Sequence, residues 1–213
     1  MTVEYEVKDS IAYITLNRPE ARNAMDPDTL EALGRTWMKF RDDSTALVAI
    51  FTGVGNSFCA GADLGALIPL ITAAPEGLVG LVKGEMAEMF QAALLRDVEI
   101  WKPIIAAVNG YCIAGGLEML LGMDIRIATE EAIFAIQEPK WGLFPAGGST
   151  VRLPRQVPYC KAMEILLTGE KIDAKEAHHM GLVNYVVPSE ELMPTAENSP
   201  RASPPTGRSP SAP

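Results

Sequence analysis

The chain has 213 residues, 48% hydrophobic and 21% charged, the balance of a globular domain with a sizeable core. Acidic side chains number 27 against 18 basic ones, a net charge of −9, and this excludes a nucleic-acid surface, since phosphate binding needs clustered Lys and Arg. Cys59, Cys112 and Cys160 are far apart in the chain and read as reduced thiols of a cytoplasmic protein. The N-terminus shows no targeting signal and no apolar run is long enough to span a bilayer, so no membrane partner is expected.

Residues 3–7 and 11–16 alternate or carry β-branched side chains around Lys8-Asp9-Ser10, and they predict a hairpin. Asp26-Pro27 supplies an N-cap with proline at the first helical position. Leu30, Leu33, Trp37 and Phe40 recur at helical spacing, so residues 27–41 are predicted to be a helix. Residues 47–52 read as a short buried strand running into a small-residue loop, 53–63. Residues 64–95 are helical in pieces: Pro69, Pro75, Gly77 and Gly80 break them into a loose, apolar, lid-like segment and a firmer helix from about Lys83.

Beyond Lys102-Pro103 the pattern predicts a buried strand at 104–108, a helix at 115–122, short strands at 125–129 and 133–136, and a helix at 149–156. Amphipathic helices at 159–168 and 174–180 follow, and 183–187 closes the ordered part. Strand, strand and helix recur, so the expected fold class is α/β, with sheets stacked as a spiral of turns. From Pro194 to Pro213 there is no Val, Ile, Leu or aromatic residue; such a segment does not bury enough surface to offset ordering and is expected to be disordered.

The chemistry centres on Ala114-Gly115-Gly116-Leu117-Glu118. Two successive glycines where a strand meets a helix let bare N–H groups approach a ligand, and the helix end adds its dipole. Glu118 follows on the same helix face as the Gly115 amide. A second donor is expected from the loop Ala60-Gly61-Ala62-Asp63, and a second carboxylate from Glu138, which precedes Pro139 after a short strand. Two fixed amides suit the oxyanion of an activated acyl group, and two carboxylates beside them suit addition of water across a conjugated double bond. Taken singly, each feature has a plainer reading: a tight turn, a helix cap, a solvated helix glutamate, an exposed loop charge. Other chemistries fit worse, because a G-x-S-x-G elbow, a dinucleotide glycine fingerprint, a phosphate-binding loop and a metal-ligand spacing are all missing, and His178-His179 reads as surface.

Six segments in order resemble the crotonase superfamily, most closely the enoyl-CoA hydratases: Leu16-Asn17-Arg18-Pro19-Glu20-Ala21-Arg22-Asn23-Ala24-Met25, Phe58 to Leu64, Lys102 to Gly110, Ala114 to Glu118, Asp124 to Ala128, and Gly142 to Ser149. The resemblance implies a spiral of ββα repeats over residues 1–188, with the family's C-terminal helices largely missing and 189–213 a Pro/Ser-rich tail. It implies an oxyanion hole from the backbone N–H groups of Ala62 and Gly115, with Glu118 and Glu138 as catalytic glutamates. It also implies substrate binding by Arg18, Arg22, Ala60, Asp63 and Leu64, with an arginine at a coenzyme A phosphate. The implied activity is hydration of a trans-2-enoyl-CoA of the fatty-acid oxidation type, without metal or redox cofactor, in a homotrimer or dimer of trimers. An enoyl-CoA isomerase, a crotonobetainyl-CoA hydratase and an inactive acyl-CoA-binding member are the alternatives.

Overall fold

The computed structural model describes residues 1–73 and 85–199. It opens with a hairpin of β1 (Val3–Lys8) and β2 (Ile11–Leu16), antiparallel and in register from Val3 opposite Leu16 to Lys8 opposite Ile11. Helix α1 (Pro27–Asp42) begins as the sequence predicts: Pro27 fills the first position and the Asp26 side chain accepts from Thr29 N at 2.8 Å. Its apolar stripe, Leu30, Leu33, Trp37 and Phe40, is buried. Strand β3 (Val48–Gly53) follows and leads into β4 (Ser57–Cys59), a strand inside the stretch expected to be loop.

Helices α2 (Leu64–Ala73) and α3 (Glu85–Ala93) flank residues 74–84, which lie outside the described residues; the start of the expected loose segment is instead the helix α2, which Pro69 does not break, and the firmer helix is present as α3. Next come β5 (Ile104–Val108), β6 (Tyr111–Ile113), α4 (Gly115–Leu120), β7 (Ile125–Thr129) and β8 (Ile133–Ala135). After a single 3-10 turn at Glu138–Trp141, the chain forms α5 (Ser149–Gln156), α6 (Tyr159–Thr168), β9 (Ile172–Asp173), α7 (Ala174–His179), β10 (Tyr185–Val187) and α8 (Leu192–Asn198).

Two sheets share these strands. The larger has the order β1-β2-β3-β5-β7-β10 and is parallel from β2 onward; the smaller has the order β4-β6-β8-β9, with only β9 antiparallel. Each turn of the chain therefore adds one strand to each sheet, which is the expected spiral. The larger sheet is covered on both faces, as parallel sheets are. One face packs on the main core, where Phe51 meets Trp37 in a tilted contact and Phe58 edge to face, at ring separations of 5.4 and 5.3 Å. The other face, with Ile11, Ile50, Ile105 and Ile127, packs against Leu192 and Ala196 of α8.

That last contact corrects the expectation of a disordered segment from Pro194 and of a body ending at residue 188. Residues 192–198 are helical, Leu192 and Ala196 are buried, and Tyr13 Oη donates to Glu197 Oε1 at 3.0 Å. Composition alone misjudged them because apolar contacts of Leu192, Met193 and Ala196 and the bond from Tyr13, set against a preformed sheet face, order a short helix that would not form alone. Residues 200–213 lie outside the described part.

Candidate active site

The turn from β6 into α4 is a strained point of the backbone. Ala114, between them, has φ 53° and ψ −124°, a conformation costly for a residue with a β-carbon. It is held by Ala114 N donating to Ala135 O at 2.7 Å and by the burial of Leu117, Met119 and Leu120 behind the turn. The bend leaves the Gly115 amide at the first position of α4, where no intrahelical acceptor exists.

The loop after β4 presses on this turn. Gly61 has φ +92°, and a β-carbon there would lie 2.8 Å from Ala114 Cβ and 3.2 Å from Gly115 N, so glycine is required for both conformation and approach. A parallel bridge fixes the loop: Met25 N donates to Gly61 O at 2.7 Å and Asp63 N donates to Met25 O at 2.9 Å. Successive amides of extended backbone point to opposite sides, so the intervening Ala62 N–H faces away from Met25. Among the described residues, neither the Ala62 nor the Gly115 amide donates to a protein acceptor. A β-carbon on Gly115 would lie 3.9 Å from Ala62 N, so the two amides are close neighbours.

Both amides border a cavity of about 160 Å³. Glu118 and Glu138 line it with Ala60, Leu64 and Gln137, and apolar side chains of Met25, Leu30, Leu67, Phe90 and Ile113 complete its interior. Glu118 is not a solvated helix residue: it is 2% exposed, and its carboxylate accepts from Gly147 N at 2.9 Å, Ser149 N at 3.1 Å and Ser149 Oγ at 2.8 Å. Behind it, Arg152 donates to Leu94 O at 3.0 Å and Arg96 to Ala146 O at 2.6 Å, joining the end of α3 to the segment that approaches Glu118. Glu138 opens the 3-10 turn after β8. Its Oε2 is buried with no hydrogen-bond partner among the described residues, and its pKa is pushed up to about 7, first by burial and then by the Glu118 charge.

Of the nine residues singled out in the sequence, six border this cavity: Ala60, Ala62, Leu64, Gly115, Glu118 and Glu138. Arg18, Arg22 and Asp63 lie outside its lining. Arg18 is occupied, its guanidinium donating to Asp63 at 2.8 Å and to Ala24 O at 2.9 Å and lying 3.3 Å from Asp26. Asp63 also caps α2, accepting from Ala66 N at 3.2 Å. Arg22 is exposed, with its guanidinium 5.6 Å from the centre of the Tyr111 ring. Sequence reasoning missed Gly147 and Ser149 as partners of Glu118, and also missed the aromatic rim formed by Trp141 and Phe144. The run Gly147-Gly148-Ser149 was in view as a motif, but nothing local to it names the side chain it meets. No group of side chains able to hold a metal ion occurs among the described residues, and none of the helices described is long and apolar enough to cross a membrane.

Comparison with known proteins shows the family and the fold. The family model for enoyl-CoA hydratase/isomerase matches residues 6–200. The enoyl-CoA hydratase EchA19 of Mycobacterium tuberculosis is 44% identical over 183 residues, which are 86% of this chain and 67% of that protein. The (E)-benzylidenesuccinyl-CoA hydratase of Thauera aromatica is 40% identical over 206 residues, 93% of this chain and 74% of its own. The crystal structure of an enoyl-CoA hydratase from Bacillus anthracis superposes with a TM-score of 0.84 at 31% identity, covering 95% of this chain and 76% of that one. Strands laid alternately on two sheets, a glycine turn presenting a free amide, and a match across nearly the whole described chain have one common explanation: the protein is a member of the enoyl-CoA hydratase/isomerase family, with the crotonase fold.

Proposed function

We propose that the protein is an enoyl-CoA hydratase that adds water to a trans-2-enoyl-CoA to give the 3-hydroxyacyl-CoA. The observation that carries this reading is the pair of carboxyl groups in contrasting surroundings beside two free amides in one cavity. In this mechanism the thioester oxygen accepts from the Ala62 and Gly115 N–H groups, which hold the negative charge that develops there as C3 is attacked. Each such donor typically lowers the barrier by about 3 kcal/mol. Glu118, held as an acceptor by three donors, takes a proton from the water whose oxygen bonds to C3. Glu138, protonated up to a pKa of about 7, delivers its proton to C2. One water adds across the double bond, and the proton gained by Glu118 returns to Glu138 through solvent.

Hydration moves protons and a hydroxyl and leaves the electron count of the substrate unchanged, so the proposed route uses no redox cofactor and no metal. An isomerase needs one carboxylate to carry a proton between C2 and C4, and the second carboxylate favours hydration over that alternative. The apolar interior suits an aliphatic or aromatic acyl chain, consistent with a place in fatty-acid-type oxidation. With Arg18 engaged, Arg22 is the cation assigned to a coenzyme A phosphate. Assembly as a trimer belongs to the same proposal, supported by Trp141 and Phe144, 68% and 65% exposed beside the cavity and thus open to burial by another subunit.

The direct test follows loss of the conjugated thioester absorbance with crotonyl-CoA and a longer enoyl-CoA, alongside the mass in solution. Hydration of at least one substrate to the 3-hydroxy product is expected. Isomerisation of a 3-enoyl-CoA without any hydration would assign the site to the isomerase branch.

A further inference from the structure

Glu118 has two oxygens and, as a carboxylate, about four places to accept a hydrogen bond. Their occupation is uneven. Oε1 takes two donors, both from Ser149: the amide at 3.1 Å and the hydroxyl at 2.8 Å. Oε2 takes one, the Gly147 amide at 2.9 Å. Among the described residues, the one site left open is on Oε2.

Ser149 is fully buried and opens α5, so its amide belongs to the positive end of that helix and faces the carboxylate directly. A serine in a first helical turn commonly turns its hydroxyl to the backbone of its own helix, whereas this one reaches a residue 31 positions earlier. The approach on the other oxygen is equally constrained, since a β-carbon on Gly147 would collide with Glu118 Oε2 and Leu94 Cδ1. The clamp has its own support in Arg96, which holds Ala146 O at 2.6 Å.

The geometry points to Ser149 as a positioning residue that occupies Oε1 of Glu118 completely and thereby reserves Oε2 as the single atom that receives the proton of the attacking water. The inference rests on the reading of Glu118 as the base and deepens it, naming the reacting oxygen and what selects it. Without the hydroxyl, Oε1 regains an open site. The carboxylate then has two competing places for the water and freedom to rotate about its last bond, so fewer complexes hold the water in line with C3. Binding of the acyl-CoA is untouched, because Ser149 does not border the cavity.

The test is a double-mutant cycle on the purified chain with crotonyl-CoA, using Ser149→Ala, Glu118→Gln and the two combined, with Ser149→Thr as the variant that keeps a hydroxyl. Ser149→Ala is expected to lower kcat about tenfold or more with KM within about twofold, the scale of losing one hydrogen bond to a charged group. Ser149→Thr recovers at least half of that loss. In the Glu118→Gln background, assayed at high enzyme concentration, Ser149→Ala changes kcat by less than about twofold, since residues that act as a unit are not additive. Wild-type kcat in Ser149→Ala, a full additive loss in the Glu118→Gln background, or no difference between Thr and Ala overturns the assignment. If Ser149→Ala gives no folded protein by thermal melt, Ser149→Cys, similar in size and a weak donor, replaces it with the same outcomes attached. Glu118→Gln alone separates the two levels: wild-type activity there removes the base assignment itself, whereas a large loss there beside an unaffected Ser149→Ala removes only the role of Ser149.

Discussion

Glu118 and Glu138 line one cavity with the same functional group in opposite surroundings. Glu118 lies within the first turn of α4, fully buried, with three donors on its two oxygens. Glu138 sits in a single 3-10 turn, with its pKa raised to about 7 and Oε2 buried and unpartnered among the described residues. Burial alone does not decide how a carboxyl behaves; the donors supplied with the burial do. One wall supplies three donors to its carboxylate, and the other leaves its carboxyl buried with the charged form disfavoured, so the two groups are set up for different roles.

The sharpest way to break this comparison is to remove each carboxylate in turn. Glu118→Gln and Glu138→Gln are each expected to lower kcat for hydration by at least about a hundredfold, the loss of a general acid or base, while acyl-CoA affinity survives. Steady-state kinetics with a parallel binding titration checks this, and wild-type turnover in either variant removes that residue from the reaction.

Next in size is the dependence on pH. If Glu138 supplies a proton, kcat/KM for hydration falls as pH rises through about 7, tending to tenfold per unit above it, while dehydration of the 3-hydroxy product requires the ionised form and rises over the same range. Opposite limbs in the two directions sharpen the contrast, and parallel limbs contradict the acid assignment.

Stability should separate the two walls by sign. Glu138 binds its proton more tightly in the folded protein, pKa about 7 against an ordinary value of 4.5. Its contribution is therefore fully present below about 4.5 and is lost as pH rises through about 7. Glu138→Gln removes that loss and is expected to stabilise the protein by roughly 1 to 3 kcal/mol at pH 8. Glu118→Gln turns an NH₂ towards at least one of the three donors and is expected to destabilise by about 1 to 3 kcal/mol. Denaturant melts of both variants at pH 5 and about pH 8 decide the matter, and shifts of the same sign at pH 8 would show that the environments differ less than their contacts imply.

The smallest effect concerns the turn beneath the amides. Ala114 holds φ 53°, so Ala114→Gly should raise stability by up to about 1 kcal/mol once the extra freedom of glycine in the unfolded chain is set against the relieved strain. Its kcat should fall if the strain fixes the aim of the Gly115 amide, and an unchanged kcat would place that aim in the packing behind α4.

Much of this arrangement was legible in the chain because it is local. The Asp26-Pro27 start of α1, its buried stripe, the β1–β2 hairpin and the glycine turn before Glu118 each depend on residues within a few positions of one another. What escaped depends on partners far apart. Gly147 and Ser149 meet Glu118 across 29 and 31 positions, and their identity as its donors exists only once α5 is packed beside α4. Strand β4 is three residues long and owes its state to pairing with β6, and α8 owes its order to a sheet face made by strands from β2 to β7. Arg18 was read as a substrate-binding residue because two of its carboxylate neighbours, Asp26 and Asp63, are brought to it only by the bridge between Met25 and Ala62.

The larger sheet takes its strands in the order they are synthesised, and the smaller sheet takes those in between. A nascent chain leaving the ribosome thus lays each new strand on an edge already built, without waiting for a distant partner or displacing an earlier one. The price is an edge left open during the interval between β7 and β10, when five residues of parallel strand face the surroundings unpaired. That interval contains α5, α6 and α7 and is the longest wait in the growth of the larger sheet, so it is the window in which a slowed or stalled ribosome would expose the chain most to aggregation.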